Sequence, residues 1–175
     1  MLSREPGGTA IGDQIRAVLH NLKNTAMFPV TEMLLLAASR AQLVAEAIRP
    51  HLAAGGAVVC DRYADSTLAY QGYGHQLDPA FVRELTAFAT GRLKPDLTLL
   101  FDLDVEEGLR RRRAGAGEWN RLDAYGPDFH RRVRAGYHAL AIEEPDRWVV
   151  IDAARPVEVV RKEVEKVVLE RLERK

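Results

Sequence analysis

Ala57 to Gly74 reads AVVCDRYADSTLAYQGYG, and the change of character in its middle decides the fold. Ala57–Cys60 is a short apolar run behind the pair Gly55-Gly56, the pattern of a buried parallel strand. It breaks off at Asp61-Arg62-Tyr63, and a helix can start at Asp65. Ligands of open α/β sheets collect outside the carboxyl ends of the strands. Asp61 and Arg62 therefore stand where a ligand would sit, a carboxylate suited to Mg²⁺ beside a guanidinium suited to phosphate. Helical spacing places Thr67 and Gln71 one turn apart on a shared face. A plain strand end with a charged loop would produce the same Asp-Arg pair, so the rest of the chain must decide.

Outward from this stretch, strands and helices alternate. Leu2-Ser3 reads as the tail of a strand, Leu97–Leu103 (LTLLFDL) as a second buried strand and Trp148–Ile151 as a third. Between them, Ile11, Ile15, Val18, Leu19 and Leu22 recur at helical spacing. Asn21 to Pro29 reads as a polar connection. Thr31 can then cap a helix whose stripe of Met33, Leu36, Leu43 and Ala47 runs to a stop at Pro50. Asp78-Pro79 is a cap followed by proline at the first helical position, with Phe81, Leu85 and Phe88 as the expected buried face and Gly91 as the end. Asp104 caps a helix with Glu106 and Glu107 at its start and Arg110 to Arg113 at its end, matching the macrodipole. Phe129, Val133, Tyr137 and Leu140 mark a helix closed by Pro145. Pro156 opens a long one with Val160, Val164, Val167 and Leu172 expected inward. The pattern implies an α/β fold with a parallel sheet, in a single domain over residues 1–175.

Composition narrows the function. Lys+Arg and Asp+Glu both number 25, which argues against an electrostatic footprint for DNA, RNA or an anionic membrane. At 47% hydrophobic and 29% charged, the chain has globular values that exclude extended disorder. One cysteine, Cys60, excludes an internal disulfide and a cysteine-rich zinc site. No signal peptide or membrane-length apolar run is present, and a cytoplasmic location is expected. The five histidines show no metal-ligand spacing.

Three further places carry chemistry. Arg4-Glu5-Pro6-Gly7-Gly8-Thr9 combines a bidentate phosphate donor with glycines that let backbone approach a ligand, although a turn has the same composition. Arg40 falls on the apolar stripe four residues after Leu36, so it either snorkels or pairs with something buried. Gly115–Tyr125, GAGEWNRLDAY, has the makings of a mobile lid around residues 114–126, with Arg121 inside it. The arginines 110–113 read as a solvated helix end rather than a nucleic-acid patch.

DRYADSTLAYQG, Arg4 to Thr9 and Ala38-Ser39-Arg40-Ala41-Gln42 together resemble, in order and separation, three hallmarks of the bacterial thymidylate kinases, P-loop nucleoside-monophosphate kinases. The likeness extends over essentially all 175 residues. It implies transfer of the γ-phosphoryl of ATP to dTMP with Mg²⁺, on a P-loop NTPase-like parallel sheet flanked by helices, in a homodimer. By resemblance, Arg4 and Arg62 hold the acceptor phosphate beside Glu5 and Pro6, and Asp61 serves Mg²⁺ directly or through water. Arg40, Thr67 and Gln71 address the base, and Tyr70 packs near the sugar. Asp61, Arg62 and Arg121 are the catalytic candidates. In some family members a lid arginine stabilises the transferring phosphoryl, which makes Arg121 a candidate on the ATP side. Leu36 departs from the family's aromatic residue, keeping an apolar wall without a stacking contact of about 0.5–1.5 kcal/mol.

The family opens with a strand and a loop GxxxxGK[ST], and no such loop occurs in these residues. The expectation is therefore a thymidylate kinase lacking its P-loop strand and helix, inactive as given. Two other readings stay open: a non-catalytic nucleotide-binding relative, and a kinase for another deoxynucleoside monophosphate. The dimer is expected to use apolar helix faces around Met33–Ile48 and Phe81–Phe88.

Overall fold

Four strands, all parallel to their partners, pair in twos in the computed structural model, which describes residues 1–115 and 119–173. Strand β1 (Leu2–Arg4) lies beside β2 (Val59–Asp61), with Leu2 opposite Val59 and Arg4 opposite Asp61. Strand β3 (Thr98–Asp102) lies beside β4 (Trp148–Asp152), with Thr98 opposite Trp148. Among the described residues no ladder joins the two pairs. The expected α/β alternation is present, and β2 ends at the Asp-Arg junction read from the sequence.

Helices α1 (Ala10–His20), α2 (Pro29–Leu43), α3 (Arg49–Ala53) and α4 (Ala64–Thr67) belong to the first half of the chain. Helices α5 (Pro79–Thr90), α6 (Val105–Ala114), α7 (Pro127–Glu143) and α8 (Val157–Glu173) follow. Two π-helical segments, Val44–Ile48 and Leu68–Gly74, extend α2 and α4.

Each strand pair has its own core. Leu43, Val44 and Ile48 are buried and gather Val58, Cys60, Tyr63 and Leu93 around β2. Ala69, Phe129, Val133, Leu140, Ala141 and Trp148 form the other, with Leu100, Tyr70 and Tyr137 packed against it. Helix α7 approaches the second π segment closely because Gly136 and Gly74 carry no side chain. A Cβ on Gly136 would stand 2.6 Å from Tyr73 Cγ, and one on Gly74 2.7 Å from Phe129 Cε2. Arg147 bridges the halves. Its guanidinium donates to both Asp65 carboxylate oxygens, at 2.9 and 2.6 Å, and to Thr98 Oγ1 at 2.8 Å.

Several local expectations are corrected. Helix α2 begins at Pro29, not Thr31, because proline at the first helical position needs no N–H partner there. Pro50 does not stop the helical path. The π turn before it absorbs the missing N–H, and the path continues to Ala53. In α5 the buried face is Val82, Thr86, Ala89 and Thr90, whereas Phe81 and Phe88 are exposed. The helix had two candidate faces, and the smaller residues permit the closer packing. Asp78 caps this helix and Gly91, at φ 56°, ends it as read. Helix α8 buries no residue fully, and Leu172 lies exposed. Residues 116–118 of the expected lid lie outside the described residues. Among the described residues no helix is long and apolar enough to cross a membrane.

Candidate active site

The carboxyl ends of β1 and β2 bring Arg4 and Asp61 side by side. Arg62 follows with φ 63°, a left-handed backbone that costs a residue with a Cβ about 1–3 kcal/mol and turns its side chain away from the strand direction. Its guanidinium lies over the Tyr70 ring, 4.9 Å from the centroid. Neither Arg4 nor Arg62 has a carboxylate within ion-pair distance among the described residues.

Arg16 of α1 completes this cluster, donating from NH1 to the Pro6 carbonyl at 2.9 Å. Burial lowers the Arg16 pKa, and the charges of Arg4 and Arg62 push the same way, partly offset by Asp13 and Asp61. His20, one helical turn on, is driven down to about 4 by burial and then by the charges of Arg16 and Arg62. Burial, and after it the neighbouring positive charges, thus disfavour the charged forms of two basic groups here. A dianionic phosphate would offset those charges. The sequence reading of this helix rested on its apolar residues and did not single out Arg16. It lies about two turns into α1 from the Thr9 cap, a position with nothing in the sequence to mark it.

Beside the cluster lies a cleft lined by Glu5, Pro6, Leu36, Arg40, Arg62, Ser66, Thr67, Tyr70, Gln71 and Leu122. Apart from Ser66 and Leu122, these were candidates from the sequence. Arg40 is 2% exposed and settles the choice between snorkelling and pairing. Its Nε donates to Glu5 Oε2 at 2.7 Å, NH1 to Thr67 Oγ1 at 2.9 Å and NH2 to the Tyr63 carbonyl at 3.2 Å. Burial raises the Glu5 pKa, outweighing the attraction of Arg40. Glu5 therefore orients Arg40 rather than offering a free carboxylate. The loop between them is fixed by the Gly7 N–H donating to Ser39 Oγ at 3.0 Å.

Arg121 sits otherwise than a closing lid residue would. It is 7% exposed and paired with Glu32, with Nε donating to the Leu19 carbonyl at 2.9 Å and NH1 to Tyr125 Oη at 2.8 Å. Its donors face the interior, so it anchors the base of the lid segment. Asp123 supports the same anchor by taking a fork from Arg112, with NH2 at 2.7 Å. By its position Glu32 is a first-turn residue of α2, where a carboxylate is ordinarily favoured by the dipole alone. It is fully buried and accepts from Gln71 Nε2 at 2.7 Å, His75 Nε2 at 3.1 Å, Tyr125 Oη at 2.9 Å and Arg121. Burial opposes its charge, but the hydrogen bonds from His75 and Arg121 and the Arg121 charge win, holding the carboxyl at about 2.

The arrangement sets a cluster of arginines beside a cleft lined by Leu36, Arg40, Thr67, Tyr70 and Gln71. The family model described as thymidylate kinase matches residues 1–164. The chain belongs to the thymidylate kinase family. A thymidylate kinase of Roseiflexus castenholzii is 51% identical over 180 residues, covering 96% of this chain and 79% of the relative. One of Thermomicrobium roseum is 55% identical over 160 residues, covering 91% and 75%. The crystal structure of thymidylate kinase from Ehrlichia chaffeensis superposes with a TM-score of 0.75 at 32% identity, covering 97% of this chain and 79% of that one. The fold is thus that of an α/β nucleotide kinase, and the family is one of phosphotransferases.

Asp61 is the family's carboxylate for Mg²⁺ by resemblance, and its surroundings fit. It is exposed at the strand end, forms no ion pair among the described residues, and is within the field of Arg16. No group of three or more His, Cys, Asp or Glu side chains that could cage a metal occurs among the described residues. A Mg²⁺ held by one carboxylate, water and substrate phosphates needs no such cage. Cys60 is half-buried, and burial with the nearby Glu5 and Asp61 charges pushes its thiol up to about 12, an unreactive state.

Proposed function

We propose that these residues form the acceptor half of a dTMP kinase, which transfers the γ-phosphoryl of ATP to dTMP to give dTDP and ADP. The observation that carries this is the Arg4–Arg16–Arg62 cluster, only partly offset by Asp13 and Asp61, beside a cleft walled by Leu36, Arg40, Thr67, Tyr70 and Gln71. The arginines would hold the acceptor phosphate in line, while the cleft takes the base and Tyr70 the sugar side. Phosphoryl transfer calls for positioning and charge neutralisation rather than a covalent nucleophile, which suits this set. Bound Mg²⁺ would neutralise charge on the transferring phosphates, with Asp61 as its protein partner. Binding of dTMP and of thymidine by calorimetry tests the assignment. Arg62→Ala should weaken dTMP by roughly tenfold or more and leave thymidine nearly unchanged. Equal loss for both would make Arg62 structural.

The ATP half would come from a strand and P-loop that are not among these 175 residues, seated between β2 and β3. Parallel pairing turns successive residues to opposite edges. In β2, Val59 and Asp61 bond toward β1, so Cys60 turns its backbone to the other side. In β3, Thr98 and Asp102 bond toward β4, and Leu99 and Phe101 turn away. These unused groups on two parallel pairs, with Phe101 and Val59 left exposed, support a missing central strand. Fusing a strand, P-loop and helix from a relative should restore ATP-dependent dTDP formation. Robust dTDP formation by the 175-residue chain itself would sink this reading.

A further inference from the structure

Two buried acceptor atoms, Glu5 Oε1 and Gln71 Oε1, belong to residues that line the cleft and have no hydrogen-bond partner among the described residues. Gln71 is the informative one. Its side chain is 1% exposed, and its Nε2 is taken by Glu32 Oε1 at 2.7 Å. An ionised carboxylate accepts but cannot donate, so a reversed amide would set oxygen against oxygen. Glu32 is itself fixed by Arg121, Tyr125 and His75, and cannot turn aside. The amide is therefore held with its acceptor as the group left over.

An acceptor orphaned this way calls for a ligand N–H. Arg40 places the complementary donor on the same wall. Contacts with Glu5, Thr67 and Tyr63 occupy four of its five N–H groups and leave one on NH1. An acceptor beside a donor matches the N3–H and C4=O edge of thymine or uracil. Cytosine presents the reverse pattern, an amino donor at C4 and an acceptor at N3.

Resting on the base-binding reading of this cleft, we propose that Glu32 is the positioning residue for base choice. Without touching the ligand, it holds the Gln71 carbonyl toward the ring N3–H and so selects thymine and uracil over cytosine. In a Glu32→Gln variant the new amide can donate as well as accept, which frees Gln71 to reverse. Gln71→Met removes the acceptor and leaves Glu32 its other three partners.

The test is calorimetric affinity of the full chain for dTMP, dUMP and dCMP. The wild type should prefer dTMP and dUMP over dCMP, and both variants should shrink that ratio by roughly tenfold or more. A purely structural role would lower all three affinities together and leave the ratio standing. If the wild type prefers dTMP and either folded variant keeps its ratio, the role of Glu32 is refuted while the base-binding reading survives. If the wild type shows no preference, the reading fails and the proposal with it. If Glu32→Gln does not fold because it strands Arg121, Glu32→Gln with Arg121→Gln takes its place, and an unchanged ratio in that variant refutes the role of Glu32.

Discussion

Acid should loosen this protein through one carboxylate. Glu32 is fully buried and held at about 2, against an ordinary 4.5. A depressed carboxyl contributes stability above its unfolded pKa and loses it as pH falls toward the folded one. The window is therefore pH 4.5 to 2, and a shift of about 2.5 units is worth about 3 kcal/mol at 1.36 kcal/mol per unit. That is a large part of a typical domain stability of roughly 5–15 kcal/mol. Glu5 acts with the opposite sign. Its pKa is raised by burial, so protonating it stabilises the fold as pH falls toward 4.5. Stability should thus rise as pH falls toward 4.5 from above before it drops. Urea unfolding followed by the fluorescence of the buried Trp148 reads both limbs. Glu32→Gln alone would strand Arg121 as a buried, unpaired charge at a cost of about 3–5 kcal/mol, so the comparison uses Glu32→Gln with Arg121→Gln. The double variant should lack most of the drop between pH 4.5 and 2. Asp102, Asp123 and Glu144 are also held down by arginines, but they titrate in both proteins and cancel in the difference. An equal acid limb in wild type and double variant would refute the assignment.

Leu36 is 9% exposed and lines the cleft, so Leu36→Phe should tighten dTMP by a few-fold through stacking on the base, measured by calorimetry. No change, or a loss, would mean the base lies elsewhere. Self-association at micromolar concentration is expected through the exposed Phe81 and Phe88 of α5, with Leu34 of α2 also open to solvent. The buried Met33, Leu36 and Ile48 are not part of that surface. Light scattering that gives a monodisperse monomer at such concentrations would count against it.

What the sequence made legible was the local chemistry of strand ends. The break from apolar run to Asp61-Arg62 marked the end of β2. The strand expected to be buried nonetheless has Val59 exposed and Cys60 half-buried, because no strand lies on its other side among the described residues. Arg40 could be singled out because a guanidinium on an apolar stripe needs a buried partner. Its partner Glu5 lies 35 residues away, and no local pattern shows such a pairing. The same limit hid the facing of α5. Its two candidate stripes differ only in what they meet, and spacing records amphipathicity without naming the neighbour. Arg16 looked like any polar position of an amphipathic helix until the fold set it between Arg4 and Arg62.

Glu32 shows most plainly why burial, not residue type, separates reading from function. In sequence it is a helix first-turn glutamate, where a carboxylate is favoured for its interaction with the dipole alone. In the fold it draws together α2, the second π segment through Gln71, and the lid base through Arg121 and Tyr125. A buried charge is tolerated only when its lone pairs are met, and meeting them here requires groups from three segments at once. The residues that supply them lose their freedom in the process. Arg121 becomes an anchor rather than a mobile finger, and Gln71 keeps a fixed acceptor. A group recruited to satisfy the core thus sets the hydrogen-bonding character of the neighbouring cleft.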